Sequence, residues 1–128
     1  MKKLIVSLFI IFSFSMIHAQ KFVSSSYQEA KYDLQAEQWV LTTNTVSLET
    51  VFEFSEKGSI MKHITPTATT TYTIKSVFTN KTQIEYEMVN EKGEEFLLII
   101  DTAKLNLRII SIKAADWRMT RYTLNDMK

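Results

Sequence analysis

Between Thr82 and Ile112 the apolar and polar positions predict three β-strands in succession, Gln83–Val89, Glu95–Asp101 and Lys104–Ile112. The outer two alternate apolar with charged residues, whereas Phe96–Ile100 is apolar on both faces and suits a strand covered on both sides. Asn90-Glu91-Lys92-Gly93-Glu94 has the form of a three-residue hairpin loop closed by a left-handed glycine. Counting outward from it sets Met88 opposite Phe96, Tyr86 opposite Leu98 and Ile84 opposite Ile100. A tight turn at Asp101–Lys104 carries the same apolar face onward through Ile100–Leu105, Leu98–Leu107 and Phe96–Ile109. A slip of one residue would reverse every side chain, so agreement between the two turns is a strong register signal.

The flanking chain reads in the same way. Gln38–Thr43 and Val46–Ser55 are strands with Asn44-Thr45 as a two-residue turn, which pairs Leu41 with Leu48. Ser55–Ser59 repeats the Glu-Lys-Gly turn and places Phe54 opposite Ile60. The next pair then sets Lys62 opposite Phe52, an amine on the apolar side, unless a bulge intervenes. Pro66 marks a loop, and Thr71–Phe78 alternates with Tyr72, Ile74, Ser76 and Phe78 on one face. Trp117–Leu124 is the last strand. Residues 20–36 lack a clear period and read as a strand or an arm. About eight strands joined by short connections predict an all-β fold, a single antiparallel up-and-down meander closed into a barrel or folded as a two-layer sandwich.

The first residues change the picture of what is folded. Lys2 and Lys3, the apolar run Leu4–Ile17 and small Ala19 before Gln20 have the form of a cleaved export signal over residues 1–19, leaving a single domain over 20–128. The expected location is periplasmic or extracellular, with no membrane insertion after cleavage. The whole chain has 15 basic and 14 acidic residues; Lys2 and Lys3 leave with the signal, so the remainder carries one more acid than base. No nucleic-acid partner is implied, because such binding needs a basic surplus. With no cysteine, neither disulfides nor thiolate metal sites are available, and the domain must hold together by packing.

Few residues offer chemistry. His63 is the one histidine of residues 20–128, on an alternating strand with no nucleophile motif around Ser55 or Ser59. Glu85 with Glu87, and Glu49 with Glu53, share strand faces, which reads as solvated surface with cross-strand partners such as Lys75 and Arg108. Only two glycines occur, and no phosphate or calcium loop. The expectation is a non-enzyme with no cofactor and no metal. Leu97 and Ile99 share the face of Glu85 and Glu87 and therefore need cover from the 20–36 arm, a second sheet, or another chain, a protein partner or homodimer.

Trp39 on an early strand in Glu37-Gln38-Trp39, with Arg118 or Arg121 on the last, resembles the lipocalin-like (calycin) group of small exported β-barrels; Glu37 stands where that group has glycine. The resemblance implies a small apolar ligand held inside the barrel. On the alternation above, the wall of such a lumen is Phe52, Tyr72, Ile74, Tyr86, Leu98 and Leu107, with Lys62 near the mouth to orient a fatty-acid-like carboxylate. The alternative is a packed structural or protein-interaction domain with no small ligand.

Overall fold

The computed structural model describes residues 20–55, 57–113 and 116–125, apart from the side chain of Ile112. The expected signal segment, residues 1–19, lies outside the described residues. Among the described residues nine strands follow one another: β1 (Gln20–Asp33), β2 (Gln38–Leu41), β3 (Val46–Phe54), β4 (Ile60–Ile64), β5 (Thr69–Asn80), β6 (Gln83–Val89), β7 (Glu95–Asp101), β8 (Asn106–Lys113) and β9 (Asp116–Leu124). All pairings are antiparallel, and β1 joins β9, so eight strands close an up-and-down barrel and β2 is an extra strand on β1. The sandwich alternative is set aside by that closure.

The β6–β7 hairpin has the predicted register: Met88 faces Phe96, Tyr86 faces Leu98 and Ile84 faces Ile100. Asn90 makes the loop. Its amide N–H donates to the Glu94 carbonyl, and its side-chain Oδ1 accepts from the N–H groups of Lys92 and Glu94. Gly93 closes the loop at φ 82°, a region that costs any residue with a Cβ.

Loop length accounts for most departures from expectation. After β3 the same Glu-Lys-Gly triplet follows Ser55 instead of Asn90, and the Ser55 N–H donates to the carbonyl of Ile60, one residue further along. The Ser55 hydroxyl accepts from the N–H groups of Ser59 and Ile60 and holds this longer loop. Phe54 therefore faces Met61 and not Ile60, and the one-residue slip turns β4 over. Met61 and His63 point inward, while Lys62 stands outside opposite Glu53. Between β7 and β8 the turn is longer by two residues. Asp101 Oδ1 accepts from the Ala103 and Lys104 N–H groups, and Leu105 takes φ 53°. Ile100 thus faces Leu107, Leu98 faces Ile109 and Phe96 faces Ser111, in place of the expected partners. A shift of two keeps the same face inward, so the predicted buried side survives.

Two bulges break the alternation elsewhere. In β5 the register shifts between Ile74 and Ser76, so Phe78 faces outward opposite Glu85 and is 63% exposed, contrary to its expected inward place. In β1 the shift lies between Ser24 and Ser26: Phe22 and Ser24 are on the inner face before it, Tyr27 after it. That phase change is why residues 20–36 show no period, although β1 is the longest strand. Leu41 and Leu48 do not pair. β2 and β3 both lie along β1, β2 opposite Ala30–Asp33 and β3 opposite Gln20–Tyr27, as one strand interrupted at Thr42–Thr45.

The interior is filled by Phe52, Phe54, Met61, Tyr72, Met88, Leu98, Ile100, Leu107, Ile109, Tyr122 and Leu124, with Phe22, Tyr27, Ile74, Tyr86, Phe96 and Leu105 packed against them. Truncating Phe52 to Ala should cost about 3–5 kcal/mol of unfolding free energy in urea. Gly93→Ala should cost about 1 kcal/mol through backbone strain alone, since no heavy atom lies within 4 Å of an added Cβ. A Gly93→Ala variant as stable as the parent would show that the loop relaxes out of the left-handed region.

Candidate functional site

The expected lumen wall is brought together, but as packing. Phe52, Leu98 and Leu107 are 0% exposed, so no water-sized space borders them, and Tyr72 is buried. Ile74 and Tyr86 are half-buried against the same cluster. Lys62 is not among them, because it stands on the outer surface. The polar side chain on the inner face of β4 is His63, which sequence reasoning missed because the Ser55 loop was counted one residue short.

His63 stacks on Phe52 with ring centroids 5.0 Å apart and meets Tyr122 edge to face. Its Nε2 lies 3.3 Å from the Tyr122 hydroxyl. Burial lowers the His63 pKa from its ordinary 6.5, because the imidazolium loses solvent. The Tyr122 hydroxyl is pushed up, first by burial and then by Tyr72, Tyr27 and Glu29. Burial also raises Tyr86, and Tyr72 with a further contribution from Glu94. Each shift favours the neutral form, so the pair is a hydrogen-bonded strut at ordinary pH. Among the described residues no group of three or more histidine, aspartate or glutamate side chains is placed to hold a metal.

The outer surface carries the more distinctive arrangement. Leu97 faces Ile110, Ile110 faces Met119, Met119 faces Ala30 and Ala30 faces Leu41, an apolar row across β7, β8, β9, β1 and β2 on the outside of the barrel. Beside it runs an aromatic row. Tyr32 lies 5.7 Å from Trp117 and 5.4 Å from Trp39, centroid to centroid. On the other side Ile99 faces Arg108 and Arg108 faces Arg121, whose guanidinium donates to Gln28 at 2.8 Å, while the Arg108 Nε is buried without a partner. Ile99, Met119 and Ala30 are buried, although they point away from the core; Trp117 is 41% and Leu41 52% exposed.

Two openings lie near the belt, one at its Leu97 end and one on the opposite face of the β1–β2 hairpin. Near Leu97, a groove of about 280 Å³ is lined by Lys75, Glu87, Val89 and Glu95. At the β1–β2 hairpin, an open cleft of about 450 Å³ is lined by Lys31, Asp33, Leu34, Val40 and Thr42. Leu97 and Ile99 were legible as outward apolar residues. Of the covers expected for them (the 20–36 arm, a second sheet or another chain), the arm does not serve, because it is β1 and extends the apolar row. Its continuation was readable in Trp117-Arg118-Met119-Thr120-Arg121-Tyr122, where Trp117 and Met119 lie on the opposite face from Tyr122. Trp39, matched above to the lipocalin-like tryptophan, also stands outside, while Arg118 pairs with Asp116 and Arg121 with Gln28.

The lowered His63 pKa has a definite sign. The unfolded chain binds this proton more readily than the folded one, so stability from neutral His63 is present above pH 6.5 and is lost as pH falls through the folded value. Glu94, held down first by Asn90 and then by Lys113, and Asp101, held down by the Lys104 N–H and by Gln83, act below their ordinary 4.5 and 3.8. The drop in urea midpoint between about pH 7 and about pH 5 should therefore be smaller in His63→Phe than in the parent. Equal slopes would mean that His63 titrates alike in both states.

Compared with protein-family models, with curated proteins and with solved structures, the chain matches none.

Proposed function

We propose that this chain is a non-catalytic exported protein that acts through the outside of its barrel, as a protein-interaction domain with a packed interior. The observation that carries this reading is the outer belt of Leu97, Ile110, Met119, Leu41, Trp117, Tyr32 and Trp39 beside Arg108 and Arg121. Aromatic residues, methionine and arginine are the side chains enriched where proteins meet, and the row opens to water where Leu41 is 52% and Trp117 41% exposed. A closed eight-stranded antiparallel barrel is consistent with the lipocalin-like resemblance, but a ligand lumen needs space beside Phe52, Leu98 and Leu107, which are fully enclosed. Recognition is therefore assigned to the surface, and the fatty-acid site with Lys62 at its mouth is the reading set against it.

Both tryptophans of the chain, Trp39 and Trp117, lie in the belt, so their emission reports its occupancy. An environment-sensitive apolar dye such as anilinonaphthalene sulfonate should bind with energy transfer from tryptophan, several-fold more weakly in Leu41→Lys. A fluorescent fatty acid should show no saturable interior binding. One-to-one fatty-acid binding that survives Leu41→Lys and is abolished by Tyr86→Ala would restore the lumen.

A further inference from the structure

The belt ends at an open strand edge, and the backbone there states what fits it. Among the described residues β2 pairs with β1 alone. The Thr42 N–H donates to the Glu29 carbonyl at 2.8 Å, which makes Glu29 and Thr42 a hydrogen-bonded pair. In an antiparallel ladder such pairs alternate, so Val40 and Gln38 spend their backbone groups on Lys31 and Asp33. Trp39 and Leu41, opposite Tyr32 and Ala30, turn their N–H and C=O groups away from β1, toward solvent. The close Tyr32–Trp39 ring contact agrees, because side chains approach most closely in non-hydrogen-bonded pairs.

Native proteins usually blunt such an edge with lysine, proline or a bulge. From Gln38 to Leu48 this one has no proline, no glycine and no charge. It is also complementary to itself. With a two-fold axis through Val40, the outward groups of Trp39 meet those of the partner's Leu41, and the reverse, giving two hydrogen-bonded pairs. Val40 then faces the partner's Val40 in a non-hydrogen-bonded pair. Trp39 packs beside the partner's Leu41 on the outer face, so the two apolar rows run into one another across the axis. Glu37 falls opposite the partner's Thr43, and no like charges meet.

We infer that two copies of this chain join edge to edge through β2, in antiparallel register about Val40, into a continuous sheet. The inference rests on the outer-surface reading and names its partner as a second copy. The chain, purified as the cell processes it, is tested by sedimentation equilibrium. The parent is expected to be a dimer. Leu41→Pro removes an N–H that points off the edge and leaves the β1 ladder whole, and should weaken the dimer at least about tenfold. Leu41→Ile keeps both that N–H and the apolar contact and should remain dimeric.

Charge exchange at the axis serves if the proline variant does not fold. Val40→Lys and Val40→Glu should each be monomeric alone and form a heterodimer when mixed. Val40→Cys, in a chain with no other cysteine, should cross-link under mild oxidation, since that pair type brings Cα atoms to about 4.5 Å. A monomeric parent at high micromolar concentration overturns the inference, as does a folded Leu41→Pro variant that stays dimeric. If the monomer still binds the apolar dye at the belt, the outer-surface reading stands without self-pairing. A β2-dependent dimer with no dye binding keeps the pairing and removes the broader reading.

Discussion

Closure between β1 and β9 is the constraint on which the rest of this barrel depends. β1 must offer one edge to β9 along most of its length and the other edge to β3 and then to β2. A straight strand of this length would carry its inner residues out of the barrel as it twists. The register shift at Ser24–Ser26 lets the strand change phase, with Ser24 inside at 0% exposure and Tyr27 inside beyond it. Without cysteine to cross-link it, the closed barrel is held by its backbone ladder and by side-chain packing, so the interior has to be well filled. Phe52, Met61, Leu98 and Leu107 meet that demand, and their packing leaves no room for a guest beside them.

Sequence carried the fold further than the site, and for one physical reason. A strand's face is fixed by parity, and parity is carried across a turn only by the loop length. β6 and β7 were legible to the residue because Asn90 and Gly93 specify a three-residue loop by side-chain hydrogen bonds and a left-handed φ. The same Glu-Lys-Gly after Ser55 makes a longer loop, because a serine hydroxyl reaches different N–H groups from an asparagine amide. That residue moved Lys62 from the lumen to the surface and brought His63 in. The β7–β8 error was twice as large and cost nothing in face assignment, since two residues restore parity.

Bulges hid the remainder. Ser25 and Lys75 each interrupt a period-2 pattern, so β1 read only as a strand or an arm and Phe78 as interior. The outer belt was half visible in Leu97 and Ile99, yet its continuation depends on cross-strand partners from four further strands. No local window contains Ile110, Met119, Ala30 and Leu41 together. Only the closed ring of registers brings them into one row.

A filled interior and an apolar exterior are two consequences of the same composition. An eight-stranded barrel is just wide enough for its own side chains to fill, and in this chain aromatic and aliphatic residues exceed what that interior takes up. The surplus stands outside on β7, β8, β9, β1 and β2, partly shielded by Arg108, Arg121 and Tyr32 on neighbouring positions. Shielding of that kind is graded. Met119 and Ala30, in the middle of the row, are buried, while Leu41 at its end is half open on a strand with one edge unpaired. Exposure thus rises toward the place where the backbone also lacks partners. Apolar contact and strand pairing each add little alone at an edge of four residues, but at β2 they act on the same residues, Trp39 and Leu41, and so reinforce one another.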